Sequence, residues 1–184
     1  MECVLSFDGG NMDLGLLVLR LAVGLTLAAH GTQKLFGWFG GGGIAGTGAG
    51  FEGLGFRPGK RAAFLAGLGE AGGGLLLALG AATPLAAAMA LGVMTVAIFS
   101  VHIKKGFFNH NGGYEFPLVL ASAALCLAIA GPGSYSVDAF LGLELHGPAW
   151  GIAALTLGIA AAGLQLASRH PAPAPQPTVQ PKGA

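Results

Sequence analysis

Charge is what this sequence has least of. Asp, Glu, Lys and Arg together make up 9% of its 184 residues, where a soluble domain carries about 25%. A chain this poor in polar surface cannot keep a globule wet, so lipid must be its solvent. The mean hydropathy of +0.70 agrees. Cysteine is nearly absent too: Cys3 and Cys126 lie far apart and form no CxxC, which excludes a disulfide framework or a thiol redox motif. The net charge is +1, with no basic patch able to neutralise a row of phosphates, so nucleic acid is excluded as a partner. The N-terminus lacks the basic n-region of a cleavable signal peptide. No nucleophile stands beside a base, and His102 and His110 lack metal-ligand spacing. No metal and no cofactor motif is evident, although His30 and His102 leave a bis-histidine haem geometrically open.

What the chain does have is long apolar runs and 34 glycines, a pairing that suits membrane helices packing closely through small residues. Crossing the hydrocarbon core takes about 20 mostly apolar residues. Five runs meet or approach that length, roughly 13–34, 62–82, 84–103, 115–131 and 148–167. Pro84 separates the second and third, because it cannot continue one helix but suits the first turn of the next. The fourth is short and is expected to begin near Gly113. Eight of the nine Lys and Arg residues fall in the loops after the first and third runs or beyond the fifth. The positive-inside rule then places the N-terminus outside and the C-terminus in the cytoplasm. The expected organisation is an N-terminal extension over 1–12 (with Met12 as an alternative start), a four-span bundle over 13–142, an additional transmembrane helix over 143–168, and a Pro/Ala-rich disordered tail over 169–184.

Two charges interrupt the oily spans. Counted from the span ends at about 1.5 Å per residue, Arg20 lies some 10 Å below the outer boundary and Glu70 some 13 Å above the inner one. The vertical gap is then under about 10 Å in a core about 30 Å thick. Gly24, Leu27, Gly31 and Lys34 share the helix face of Arg20, and Gly67, Gly73 and Gly74 surround Glu70. Charges in lipid turn inward and pair, so an Arg20–Glu70 ion pair is predicted. It would serve either as a structural clamp or as the organiser of a ligand or proton site.

A second constellation gathers at the basic end. His30, Gln33 and Lys34 finish the first span, and "HIKKGFFNHNGGYE" brings His102, His110 and Glu115. Converging in a bundle, they would form a polar pocket roofed by Phe107, Phe108 and Tyr114, suited to a quinone headgroup or small anion. The alternative is ordinary interfacial residues, with lysines snorkelling to the headgroups. "GAGFEG" matches GxGxxG but follows no strand, so it is expected to be a loop, and "FRPGKR" lacks the remainder of a phosphate loop. The stretch around them is expected to lie along the interface, held by Trp38, Phe39, Phe51 and Phe56.

The succession "RLAVGLTLAAHGTQKLFGWFGG", "GTGAGFEGLGF", "LGEAGGGLLLALGAATPLAA", "HIKKGFFNHNGGYEFPL" and "GPGSYSVD" resembles the DoxX family of bacterial membrane proteins over about residues 12–142. The resemblance implies an all-α membrane fold, an antiparallel four-helix transmembrane bundle, which the C-terminal fifth transmembrane helix extends. In the family's pattern the matching positions are Arg20, Gly24, His30, Gly31, Lys34, Glu70, Gly73, Gly106 and Glu115. It also implies a link to membrane oxidoreductase complexes, as in the relative DoxD, a subunit of a thiosulfate:quinone oxidoreductase. The leading expectation is therefore a multi-pass inner-membrane subunit that binds quinone, or a small sulfur-containing or anionic ligand, near the cytoplasmic face. His30, Glu115 and Lys34 are its candidate catalytic residues, with Arg20, Glu70, His102, His110 and Gln33 binding ligand. Its expected partners are the bilayer, a soluble oxidoreductase subunit and further copies of the chain. The alternative is a non-catalytic scaffold or small-molecule transporter with structural charge pairs.

Overall fold

A computed structural model describes residues 9–170. Cys3, the first eight residues of the expected extension, and the tail beyond His170 lie outside the described residues. Among those described there is no strand, and helices follow one another along the chain. Helix α1 runs Gly9–Phe36, free of proline, and stops where Gly37 turns left-handed at φ 76°. Residues 9–12 thus open the first helix rather than preceding it. Helix α2, Gly43–Gly53, is followed by α3, Gly59–Leu79. Gly80, at φ 64°, ends α3, and Ala81 N–H donates back to the Leu76 carbonyl at 2.9 Å, the left-handed closure that glycine makes cheaply. Helix α4, Thr83–Ala97, continues through a π turn, Ile98–His102, into a 3₁₀ turn, Ile103–Lys105. Helix α5 covers Glu115–Ala130, α6 is the single turn Val137–Phe140, and α7 covers Pro148–Ala167.

Among the described residues four helices are long and apolar enough to cross a membrane, over 10–36, 59–79, 83–105 and 148–167. The C-terminal helix is one of them. Helix α5 has 16 residues, which rise about 24 Å and fall short of the hydrocarbon thickness. Its start is Glu115, not Gly113, because Gly113 is still bound into the preceding loop through its N–H to the Phe108 carbonyl at 3.0 Å.

Helix α1 packs on α3, α3 on α4, and α4 on both α5 and α7. Small residues set these distances. A Cβ on Gly24 would stand 2.5 Å from the Gly74 carbonyl oxygen, and one on Gly31 2.6 Å from that of Gly67. Backbones this close interlock at one register. The segment around "GAGFEG" is helical rather than a loop. Glycine is a poor helix former, so α2 owes its form to packing: a Cβ on Gly48 would touch Lys60 of α3 at 3.0 Å.

Candidate functional site

The glycine contacts between α1 and α3 decide where the buried charges go. Gly24 faces Gly74 and Ala78, and Gly31 faces Gly67 and Ala71. By that register Arg20 lies level with Gly80, and Glu70 level with His30, ten residues or about 15 Å apart along α3. The predicted Arg20–Glu70 ion pair is therefore not formed. Counting depth from the span ends assumed that the helices end in common planes. Instead α1 runs past the Leu79 end of α3, while α3 begins beyond the Phe36 end of α1.

Each charge has found a different partner. Arg20, 3% exposed, donates to the Leu79 carbonyl at 3.1 Å and to the Tyr135 carbonyl. Asp138, 1% exposed, is the acid whose charge it feels. The Asp138 carboxylate accepts from Ala82 N–H at 2.7 Å, Thr83 N–H at 2.9 Å and the Thr83 hydroxyl at 2.7 Å. It thereby caps α4, whose own preceding residues are two alanines without an acceptor. Sequence reasoning passed over Asp138. The signal was there in α4, an apolar helix lacking a local cap and so needing one from elsewhere. Arg20 and Asp138 together tie α1, the α3–α4 turn and the segment before α6 into one polar knot.

Glu70, also 3% exposed, forms an ion pair with Lys34, whose ammonium reaches inward from the end of α1. Lys34 and Glu70 belong to the wall of a cavity of about 1050 Å³ bounded by α1, α2, α3, α4, α5 and α7. His30 and His102 line it as well, together with Ser100 and Gln165. The His30 ring meets Phe116 edge-on at 5.8 Å. Much of the remaining wall is apolar, with Leu65, Met89, Val93, Leu120 and Leu164 prominent. Leu65 and Leu164 are 46% and 76% exposed, so the cavity opens sideways between helices. Arg57 and Arg61 stand at its outer rim.

Of the residues picked from sequence, the cavity brings together His30, Lys34, Glu70 and His102. Arg20 lies a helix length's half away in the polar knot. Gln33 turns out of the cavity to donate to the Phe39 carbonyl at 3.3 Å. Glu115 accepts from Asn109 N–H at 2.9 Å and holds the loop before α5. His110 stacks on Phe108 at 5.7 Å in the same loop. His102 serves both places, with Nδ1 2.7 Å from the Gly112 carbonyl. Phe107 packs edge-to-face on both Phe108 and Tyr114, and the three do not roof the cavity. Phe51, Phe56 and Phe116 line it instead. Among the described residues no three His, Cys, Asp or Glu side chains gather closely enough to hold a metal ion.

Chemically the arrangement offers an oily chamber with a buried carboxylate, its partly exposed ammonium partner and an imidazole at its inner end. Such a site can donate hydrogen bonds to ligand oxygens and balance negative charge in a low-dielectric setting. In comparison with known proteins, the DoxX family model matches residues 15–103. No curated protein and no solved structure matches the chain.

Proposed function

From the match of the DoxX family model to residues 15–103, we propose that this chain is the membrane subunit of an oxidoreductase system and holds a lipid-soluble quinone in the cavity beside Lys34 and Glu70. The observation that carries this is the cavity itself: about 1050 Å³, at the large end of small-molecule sites. Its walls are mostly apolar, Lys34, Glu70 and His30 sit together at its inner end, and its side is open where lipid would lie. A quinone needs that combination, a ring and tail in an apolar slot with donors for its oxygens. Lys34 would donate to a carbonyl oxygen and stabilise negative charge developing there. His30 would carry a proton, since an imidazole can donate from one ring nitrogen and accept at the other. Glu70 keeps the Lys34 ammonium inside the chamber. Glu115 is left with a loop-holding role. The positive-inside rule puts the end bearing Lys34, Arg57, Lys60, Arg61, Lys104 and Lys105 in the cytoplasm of a bacterial inner membrane.

The test is equilibrium binding of decylubiquinone to the full chain in nanodiscs, corrected for partition into empty discs. The wild-type chain should saturate. His30→Ala should weaken binding about tenfold, the cost of one ligand hydrogen bond, with unchanged helical circular dichroism. Absence of saturable binding to the wild type would remove the proposal.

A further inference from the structure

Helix α7 lies outside the matched residues 15–103, yet it closes one wall of the cavity with Ala161, Ala162, Leu164, Gln165 and Ser168. It is held at three heights. A Cβ on Gly151 would touch Ile129 of α5, and one on Gly158 would stand 2.8 Å from the Ala88 carbonyl of α4. At its end, Arg169 Nε donates to the Leu54 carbonyl at 2.9 Å and His170 N–H to that of Gly55 at 2.8 Å. The Arg169 guanidinium also lies over the Phe56 ring, 5.4 Å from its centre. A side chain on α7 near the cavity is thus carried by a rigid support.

Gln165 is such a side chain. It lines the cavity, and its amide group has no hydrogen-bond partner among the described residues, although its main-chain oxygen accepts from Ser168 at 2.7 Å. An amide carries both a donor and an acceptor, so it can meet a ligand oxygen in either state.

The glycine contacts give its depth. Glu70 is level with His30 on α1, by the register already described. Gly69 faces Val93, and Gly158 faces Leu91 and Gly92, which puts Glu70, Gly92 and Gly158 on one level. Gln165 follows Gly158 by seven residues, about 10 Å along the axis. Ser100, whose buried hydroxyl also lacks a partner among the described residues, lies near the same height in the π turn. The cavity therefore has two polar layers, an inner one at Lys34, Glu70 and His30 and an outer one at Gln165. The two oxygens of a para-quinone are about 5 Å apart, and with a hydrogen bond of about 2.8 Å at each end they reach about 11 Å. An ortho-quinone has both oxygens on one side of its ring and cannot touch both layers.

We infer that Gln165 is the second hydrogen-bonding anchor of the cavity, so that the site selects para-quinones and holds the ring lengthwise between α7 and Lys34. This rests on the quinone reading above. The Gln165 amide donates to the carbonyl of the quinone and accepts from the hydroxyl of the quinol, so it serves both forms.

The isomers α-lapachone, a para-quinone, and β-lapachone, an ortho-quinone, separate the possibilities in the full chain in nanodiscs. Gln165→Leu, an apolar change that suits a membrane helix, should weaken α-lapachone binding about tenfold and leave β-lapachone binding within about twofold. Unchanged α-lapachone binding in the variant overturns the anchor while leaving the quinone reading standing. Equal losses for both isomers overturn it too, since they report damage to the chamber. If the wild-type chain binds neither isomer the anchor fails, and if it fails to bind decylubiquinone as well the quinone reading fails with it.

Discussion

Removing the Lys34 ammonium should damage this protein more than removing the carboxylate it serves. The Glu70 side chain is 4% exposed and that of Lys34 25%. In Lys34→Met, Glu70 would be left as an uncompensated charge that no rotamer can bring to water. Breaking a buried pair from one side costs about 3–5 kcal/mol, and Lys34→Met should sit in that range. In Glu70→Gln the orphan is Lys34, at the end of α1 on a flexible four-carbon stem that can swing to the interface, so a loss of about 1–2 kcal/mol is expected. The double variant has no buried charge and should recover most of the stability lost by Lys34→Met, giving a coupling of about 2 kcal/mol or more. Arg20→Leu combined with Glu70→Gln should be additive, since some 15 Å of axis separates the two. The measurement is unfolding in mixed micelles of increasing SDS fraction, followed by tryptophan fluorescence. A harmless Lys34→Met, or a coupling between Arg20 and Glu70 larger than that between Lys34 and Glu70, would refute the assigned pairing.

Two further outcomes follow from the packing. Asp138→Ala removes three hydrogen bonds from the start of α4 and a negative charge that acts on Arg20. It should cost about 3 kcal/mol, read as an earlier SDS midpoint, with Asp138→Asn retaining part of the cap and falling between. Gly31→Val inserts a branched side chain where even a Cβ would lie 2.6 Å from the Gly67 carbonyl oxygen. The α1–α3 contact cannot form around it, so monodisperse protein should fail to accumulate in membranes, as judged by gel filtration of detergent extracts.

Much of the architecture was legible in the residues. The apolar runs around 13–34, 62–82, 84–103 and 148–167 became helices α1, α3, α4 and α7 with ends moved by a few residues. Pro84 marked the turn before α4. Helix α2 was missed, because five of its eleven residues are glycine and local propensity argues against a helix that only its contact with α3 sustains. His30, Lys34 and His102, grouped at the basic end of the bundle, do line one cavity, whereas Glu70, assigned to Arg20 at mid-depth, meets Lys34 there instead. Glu115, Gln33 and His110 were grouped with them through nearness in sequence, but their hydrogen bonds and stacking turn them into loops. Gln165 drew no notice, since one amide at the end of an apolar run says nothing until the wall opposite it is known.

The sequence by itself determined that this chain lives in lipid and which stretches become membrane helices. Both depend on hydropathy and length along a continuous segment, quantities that need no knowledge of neighbours. Only the tertiary structure decided which buried charges meet. That outcome hangs on how far each helix slides past the next, and the slide is set where Gly24, Gly31, Gly74, Gly92 and Gly158 let backbones touch. Moving one helix by two or three turns exchanges every ionic partner without altering a single residue's preference for membrane or water.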